Sequence, residues 1–246
     1  LLIGSKSIWL DEMMSLYVTQ RGPAAWLTGT VEGYHPPLYY AFLSLWVQLG
    51  QSEGILRLSS ALFGVLAIPL TYTLARSLAS KGVALAAAWL VALSPLLVWY
   101  SQEFRSYSLL VFFVLLAALA FIRLLTAPRL SALLGWWLLY VAAMATGFYT
   151  HYNMLLGLPI QFALLLVLAA QGRIRRGGVI AALLAWPAIV AAYWPWLSSP
   201  PAVNFLSFAT TSGGYPGLLV QERFGISWPV AVRLALAIGA VALALF

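Results

Sequence analysis

A helix needs about 20 predominantly apolar residues to cross a hydrocarbon core of about 30 Å. This chain holds seven such runs free of Asp and Glu, at 55–78, 83–100, 107–125, 130–150, 152–171, 178–197 and 229–246. Inside lipid every backbone polar group must be satisfied within the protein, so such runs have to be helical. That feature restricts the chain to an all-α polytopic membrane protein. The alternation of polar and apolar residues that marks an outer-membrane barrel is missing. The chain is 63% hydrophobic and 8% charged, which excludes an ordinary soluble globule and a disordered chain. There is no cysteine, so no disulfide, iron–sulfur cluster or thiolate metal site can form. Pro69, Pro95, Pro159 and Pro187 fall inside the runs and predict bends there. No repeat or soluble domain interrupts the pattern, so residues 1–246 read as a single transmembrane domain. The start at Leu1-Leu2-Ile3 without Met, and the stop at Phe246 within an apolar run, read as a domain truncated at both ends. An upstream span is expected to end near residue 3, and the start does not have the form of a signal peptide.

The apolar stretch at 37–50 decides the sidedness. Its 14 residues reach about 21 Å at 1.5 Å per residue, too short to cross. It is therefore expected to be an interfacial or re-entrant helix, rich in Tyr and Trp as such helices are. The loops carrying Arg76/Lys81, Arg123/Arg129 and Arg173/Arg175/Arg176 then share one side and contain no acid. The positive-inside rule makes that side cytoplasmic. All six acids, Asp11, Glu12, Glu32, Glu53, Glu103 and Glu222, fall outside, on a first loop at 4–54, a tight loop at 101–106 and a long loop at 198–228. The net charge of +7 is thus a topology signal and does not point to nucleic acid.

The outer face carries the residues able to do chemistry. Asp11 and Glu12 are adjacent, so on a helix they point about 100° apart; one can face a cavity while the other braces the backbone, and both also suit a helix N-terminus. His35-Pro36-Pro37 opens the interfacial helix with a start signal, and His35 is either a structural hydrogen-bonding residue or a ligand. Ser101-Gln102-Glu103-Phe104-Arg105-Ser106-Tyr107 packs an acid, a base and a phenol into one turn. Such charges beside lipid are costly unless paired or facing a wet cavity, and a local Glu103–Arg105 pair is one outcome. Arg57 could snorkel to the interface or bind a phosphate bidentately. His151 ends a span and can serve its loose carbonyls or a substrate. No phosphate-binding P-loop or His-Glu-x-x-His zinc motif is present. No acid lies deep in a span, which disfavours an ion-coupled transporter.

In their order and spacing, Ile8-Trp9-Leu10-Asp11-Glu12, His35-Pro36-Pro37-Leu38-Tyr39-Tyr40, Arg57-Leu58-Ser59, the 101–107 motif and Thr150-His151-Tyr152 resemble the C-type integral-membrane glycosyltransferases. The likeness is to glycosyltransferase family 39, which includes protein O-mannosyltransferases and lipid A aminoarabinose transferases, and it covers residues 8 to about 153. It implies a helical bundle with outer-face juxtamembrane helices. It implies transfer of a sugar, of mannose type, from a polyprenyl-phosphate-linked donor to a lipid, glycan or protein acceptor, with inversion, at the outer face of a bacterial cytoplasmic membrane. Asp11 takes the place of the family's proposed base and Glu103 that of its second acid; Glu12, His35, Arg57, Arg105, Tyr107 and His151 are the expected substrate-binding residues. A divalent metal is left open. One departure is His35, which stands where aminoarabinose transferases have Lys before Pro-Pro, so a phosphate role does not carry over to it directly. A non-catalytic membrane scaffold and a lipid or sugar transporter are the alternative classes.

Overall fold

The computed structural model describes residues 3–4, 7–28 and 35–203. The chain divides into two compact units, Leu1–Trp196 and Leu197–Phe246. Beyond Leu197 the described residues form one helical turn, closed by the Val203 N–H donating to the Ser199 carbonyl. The expected span at 229–246 and most of the 198–228 loop lie outside the described residues. All else below concerns the first unit.

That unit is all-α, with no strand among the described residues. Two short helices, α1 (Leu10–Gln20) and α2 (Pro23–Thr28), precede α3 (Leu38–Trp46), which continues as a 3₁₀ turn, Val47–Leu49. Then follow α4 (Glu53–Arg76), α5 (Lys81–Leu93), α6 (Pro95–Tyr100), α7 (Tyr107–Thr126) and α8 (Leu130–Thr150). A 3₁₀ segment, Tyr152–Leu156, leads into α9 (Gly157–Ala170), and α10 (Arg176–Leu197) completes the order. Among the described residues five helices are long and apolar enough to cross a membrane: α4, α7, α8, the Tyr152–Ala170 run and α10. The α3 region is a short apolar helix, Leu38–Leu49, as its length dictates.

The run at 83–100, in which Pro95 predicts a bend, forms two helices that meet at Ser94. At Ser94 the backbone turns extended (ψ 116°), and the Ser94 hydroxyl caps α6 by accepting the Leu97 N–H. Pro95 occupies the first turn of α6, where its missing N–H costs nothing. The serine–proline pair ends one helix and starts the next. In series, α5 and α6 carry the chain from the Arg76 end of α4 back to its Arg57 end, where a side chain at Gly64 would strike the Ser101 hydroxyl. The other prolines break nothing: Pro69 lies within α4, Pro187 within α10, and Pro159 in the first turn of α9.

The central helix is α7, which packs on α4, α8 and α9. Its buried face carries Ala117, Ala118 and Ala120, small residues that let helix backbones approach, which is what favours association inside lipid. A close backbone approach occurs at Gly178 of α10, where an added Cβ would sit 2.5 Å from the Leu124 carbonyl oxygen and 2.7 Å from Leu125 Cα. Outward-facing Leu90, Leu130 and Leu183 are 73%, 72% and 67% exposed, a surface matched to hydrocarbon rather than water.

Charge segregates along the bundle. Arg173 donates to the Ser77 carbonyl and the Arg175 N–H to the Leu125 carbonyl, so the three basic loops converge at one end. The acids Asp11, Glu12 and Glu103, with Arg57, Arg105 and both histidines, gather at the other.

Candidate active site

Glu12 is the keystone of the acidic end. It is 0% exposed, and its two oxygens accept four hydrogen bonds. Oε1 takes Arg57 Nε at 2.8 Å and the Phe104 N–H at 2.8 Å. Oε2 takes Arg57 Nη2 at 2.6 Å and the Trp9 N–H at 3.3 Å. Burial works against the charge on Glu12, but the Arg57 hydrogen bond, the Phe104 N–H and the Arg57 charge outweigh it and hold the carboxyl below its ordinary range. One side chain thus ties the start of α1, the first turns of α4 and the 101–106 loop together.

Two of the expected substrate-binding residues are engaged by protein groups. Arg57 does not stand at the surface to meet a phosphate: it is 5% exposed, forms a bidentate pair with Glu12, and donates to the Ile3 and Ser7 carbonyls at 3.1 Å each. Glu12 likewise meets protein groups on both oxygens, so it braces the site and does not reach into a cavity. The reason is physical, since a charge this deep persists only when paired and hydrogen-bonded.

A second clamp runs beside the first. Arg105 Nη1 donates to the Asp11 carbonyl at 3.1 Å and to the Ser15 hydroxyl at 2.9 Å. The Arg105 carbonyl accepts the Ser60 hydroxyl at 3.0 Å. Arg105, rather than Glu103, is therefore tied to α1, and no Glu103–Arg105 salt bridge forms among the described residues. The Asp11 side chain is half-buried, and among the described residues no hydrogen bond or ion pair engages it. Its neighbours are thus fixed while its own carboxylate is left for another partner.

Glu103 accepts the indole N–H of Trp99, one helical turn earlier. Burial raises its pKa above the ordinary carboxylate value; Trp99 offsets part of that, the negative charge of Glu12 adds to it, Arg105 offsets, and Asp11 adds again. Arg105 also lines a recess with His35, Tyr39, Tyr40, Ser106 and Thr150. The His35 and His151 rings lie 5.4 Å apart, with the Tyr107 ring 6.2 Å from His151 and the Arg105 guanidinium 6.0 Å from the Tyr107 ring centre. The Nδ1 of His151 accepts the Asn153 N–H at 3.0 Å, which leaves Nε2 to carry the proton of the neutral ring. Burial lowers the pKa of both histidines to about 4; Arg105 contributes at His35, and His35 and then Arg105 contribute at His151.

All eight expected residues thus sit on one end of the bundle, around α1, the α4 start, the 101–107 turn and the α8–α9 junction. Three contributors were not legible as site residues: Ser15, the Trp99 indole and the Phe104 N–H. Ser15 and Trp99 had a signal only in hindsight, each one helical turn from an acid. Among the described residues no three His, Asp or Glu side chains converge to hold a metal ion.

Neither the curated proteins nor the solved structures give a match to the chain. The family model described as dolichyl-phosphate-mannose-protein mannosyltransferase matches residues 34–196, about two-thirds of the 246 residues. Within that stretch lie His35, Arg57, Glu103, Arg105, Tyr107 and His151; of the two that precede it, Glu12 joins through the Arg57 and Phe104 bonds and Asp11 through its carbonyl, which accepts from Arg105. The chain belongs to this family, and is an integral membrane glycosyltransferase of the C type.

Proposed function

We propose that the chain transfers a mannose-type sugar from a polyprenyl-phosphate donor to an acceptor hydroxyl, with inversion, on the outer face of a bacterial cytoplasmic membrane. The observation that carries this is the contrast between neighbouring carboxylates: Glu12 is committed on both oxygens, while Asp11 is held beside it in a fixed frame with its carboxylate uncommitted among the described residues. The acceptor oxygen attacks C1 from the face opposite the phosphate. The C1–O bond to phosphate breaks, the phosphate departs with the electron pair, and the hydroxyl proton passes to Asp11. Phosphate is a good leaving group, so it needs charge stabilisation more than a proton; Arg105, in the recess with His35, supplies it. His35 and His151, neutral at physiological pH, offer hydrogen bonds rather than charge. Glu103 orients the acceptor, and Arg57 positions Asp11 through Glu12. The seven basic residues at the opposite end support the outward orientation.

The test is Asp11→Asn in purified protein supplied with radiolabelled mannosyl-phosphoryl-polyprenol. Transfer should fall by about 10²-fold or more, roughly 2.7 kcal/mol of barrier, while stability changes by no more than about 0.5 kcal/mol. Near-normal transfer by this variant would remove Asp11 as the base.

A further inference from the structure

Helices α9 and α10 both rest on the bundle but leave a groove between them. Helix α9 packs along α7. Helix α10 meets α7 through the close approach at Gly178, and near its other end the Tyr193 ring lies 5.4 Å from that of Phe148 in α8. The groove has a volume of about 240 Å³ and is lined by Phe121 and Leu125 of α7, Phe162 of α9, and Val179, Leu183 and Trp186 of α10. Phe162 and Leu183, one from each flanking helix, are exposed, so the groove opens sideways to lipid. Its polar lining is sparse. Gln161 is committed to protein: its Oε1 accepts the Tyr140 hydroxyl at 2.6 Å, and its amide nitrogen donates to Met144 Sδ at 3.2 Å. A buried water needs about 2–4 polar partners, so this groove suits a hydrocarbon chain instead.

One end of the groove lies at the basic end of the bundle. There the Arg175 N–H donates to the Leu125 carbonyl and the Arg175 carbonyl accepts the Val179 N–H, so both backbone partners of Arg175 line the groove. Arg176 precedes Val179 by three positions and Leu183 by seven, which places it on the same stripe of α10. Both arginines are exposed, and among the described residues no protein acceptor engages either guanidinium. No acid lies in the three surrounding loops, 76–81, 123–129 and 171–176. We propose that the groove and these two arginines form a binding site for an anionic phospholipid of the leaflet at the basic end, with one acyl chain along α7 and the phosphate between Arg175 and Arg176. Cations alone attract any anionic surface, and the groove alone accepts any chain. Together they select a molecule that carries a net negative phosphate on an acyl tail. A zwitterionic lipid brings its own ammonium against the guanidiniums, and a free phosphate leaves the groove unused. The site lies at the opposite end of the bundle from Asp11 and Arg105, and it does not depend on sugar transfer.

The test uses the purified chain, delipidated in dodecyl maltoside, with lipid retention read by native mass spectrometry and stability by thermal unfolding. A ligand of the folded state raises the melting temperature as its concentration rises. Dioleoyl-phosphatidylglycerol should do so saturably and be retained as a single lipid, whereas dioleoyl-phosphatidylcholine, dioleoylglycerol and glycerol phosphate should not. Arg175→Gln combined with Arg176→Gln should weaken phosphatidylglycerol binding about 30-fold, equivalent to about 2 kcal/mol, and leave the lipid-free melting temperature unchanged. Arg76→Gln combined with Lys81→Gln removes the same charge from α4 and α5, which do not line the groove, and should leave binding unchanged. Because the chain has no cysteine, a bimane fluorophore can also be placed singly. At Leu183→Cys it should be quenched by phosphatidylglycerol brominated on its chains more strongly than at Leu90→Cys on α5, and the Arg175/Arg176 variant should abolish that difference. Equal binding of phosphatidylcholine, equal weakening by the α4–α5 charge variant, or equal quenching at the two positions overturns the site. Preferential binding of polyprenyl phosphate over phosphatidylglycerol overturns it as well, since the groove would then hold a polyprenyl tail.

Discussion

Replacing Glu12 by Gln isolates what the keystone contributes. The amide keeps one acceptor oxygen and turns the other position into a donor, facing donors that are already there. Two of the four bonds from Arg57, Phe104 and Trp9 then lose their acceptor, and the buried Arg57 guanidinium loses its salt-bridge carboxylate. Hydrogen bonds to charged groups contribute about 1.5–3 kcal/mol each, so losing two costs about 3–6 kcal/mol. Removing one member of a buried pair typically costs about 3–5 kcal/mol, and the two routes agree. Reversible unfolding in mixed micelles should show a loss of this size for Glu12→Gln, against near-neutrality for Asp11→Asn one residue away. Arg57→Met should cost a similar amount, and the double variant less than the sum, with a coupling of up to about 3 kcal/mol. The pH dependence has a definite sign. The folded carboxyl of Glu12 lies below its ordinary value of 4.5, so its stabilisation is complete above that pH and disappears as pH falls through the folded value. Glu12→Gln should flatten that acid limb. A loss under about 1 kcal/mol, or strictly additive single and double variants, would refute the keystone.

Three further outcomes are expected. His35 and His151 have folded pKa values of about 4 against an ordinary 6.5, so the fold resists their protonation and stability should fall as pH drops from 6.5 toward 4; His35→Gln with His151→Gln should reduce that loss in unfolding measured across the window. Gly178→Ala drives a Cβ into the Leu124 and Leu125 backbone and should cost about 1–3 kcal/mol, whereas Gly147→Ala meets the flexible end of Met154 and should cost under about 1 kcal/mol; equal melting temperatures would contradict this. Gln51→Cys should react with an impermeant thiol reagent on intact cells and Gln171→Cys only after lysis; the opposite pattern reverses the orientation.

Much of the fold is legible because lipid simplifies the rules. Runs such as 107–125 and 130–150 need only length and the absence of acids to be read as helices, and α7 and α8 follow them within a residue or two. The short stretch at 37–50 is equally plain from its length. What hydropathy misses is the break at Ser94, because the residues on both sides are equally apolar and only the capping hydroxyl and Pro95 mark the turn. The site is legible at its acids and histidines, since charge beside lipid draws notice by itself. The role of Arg57 is not, because its partner lies 45 positions away and sequence shows a cation without showing what it faces. Ser15 and the Phe104 N–H are invisible for the same reason: a serine or a backbone amide joins a site only through what folds against it.

The long reach of Glu12 also bears on biogenesis. Its bond to the Phe104 N–H joins groups 92 positions apart, and at about 5–20 residues per second of synthesis the second partner is made some 5–18 s after the first. During that interval α4 and the α5–α6 pair must be integrated while Glu12 waits with, at most, Arg57 as its counter-charge. The clamp therefore closes only once the turn after α6 has been delivered to the correct side of the membrane. A chain whose α5–α6 segment fails to insert would leave the Glu12 carboxylate and the Phe104 amide on opposite sides of the bilayer, so closure of this one bond reports that the intervening helices were threaded correctly.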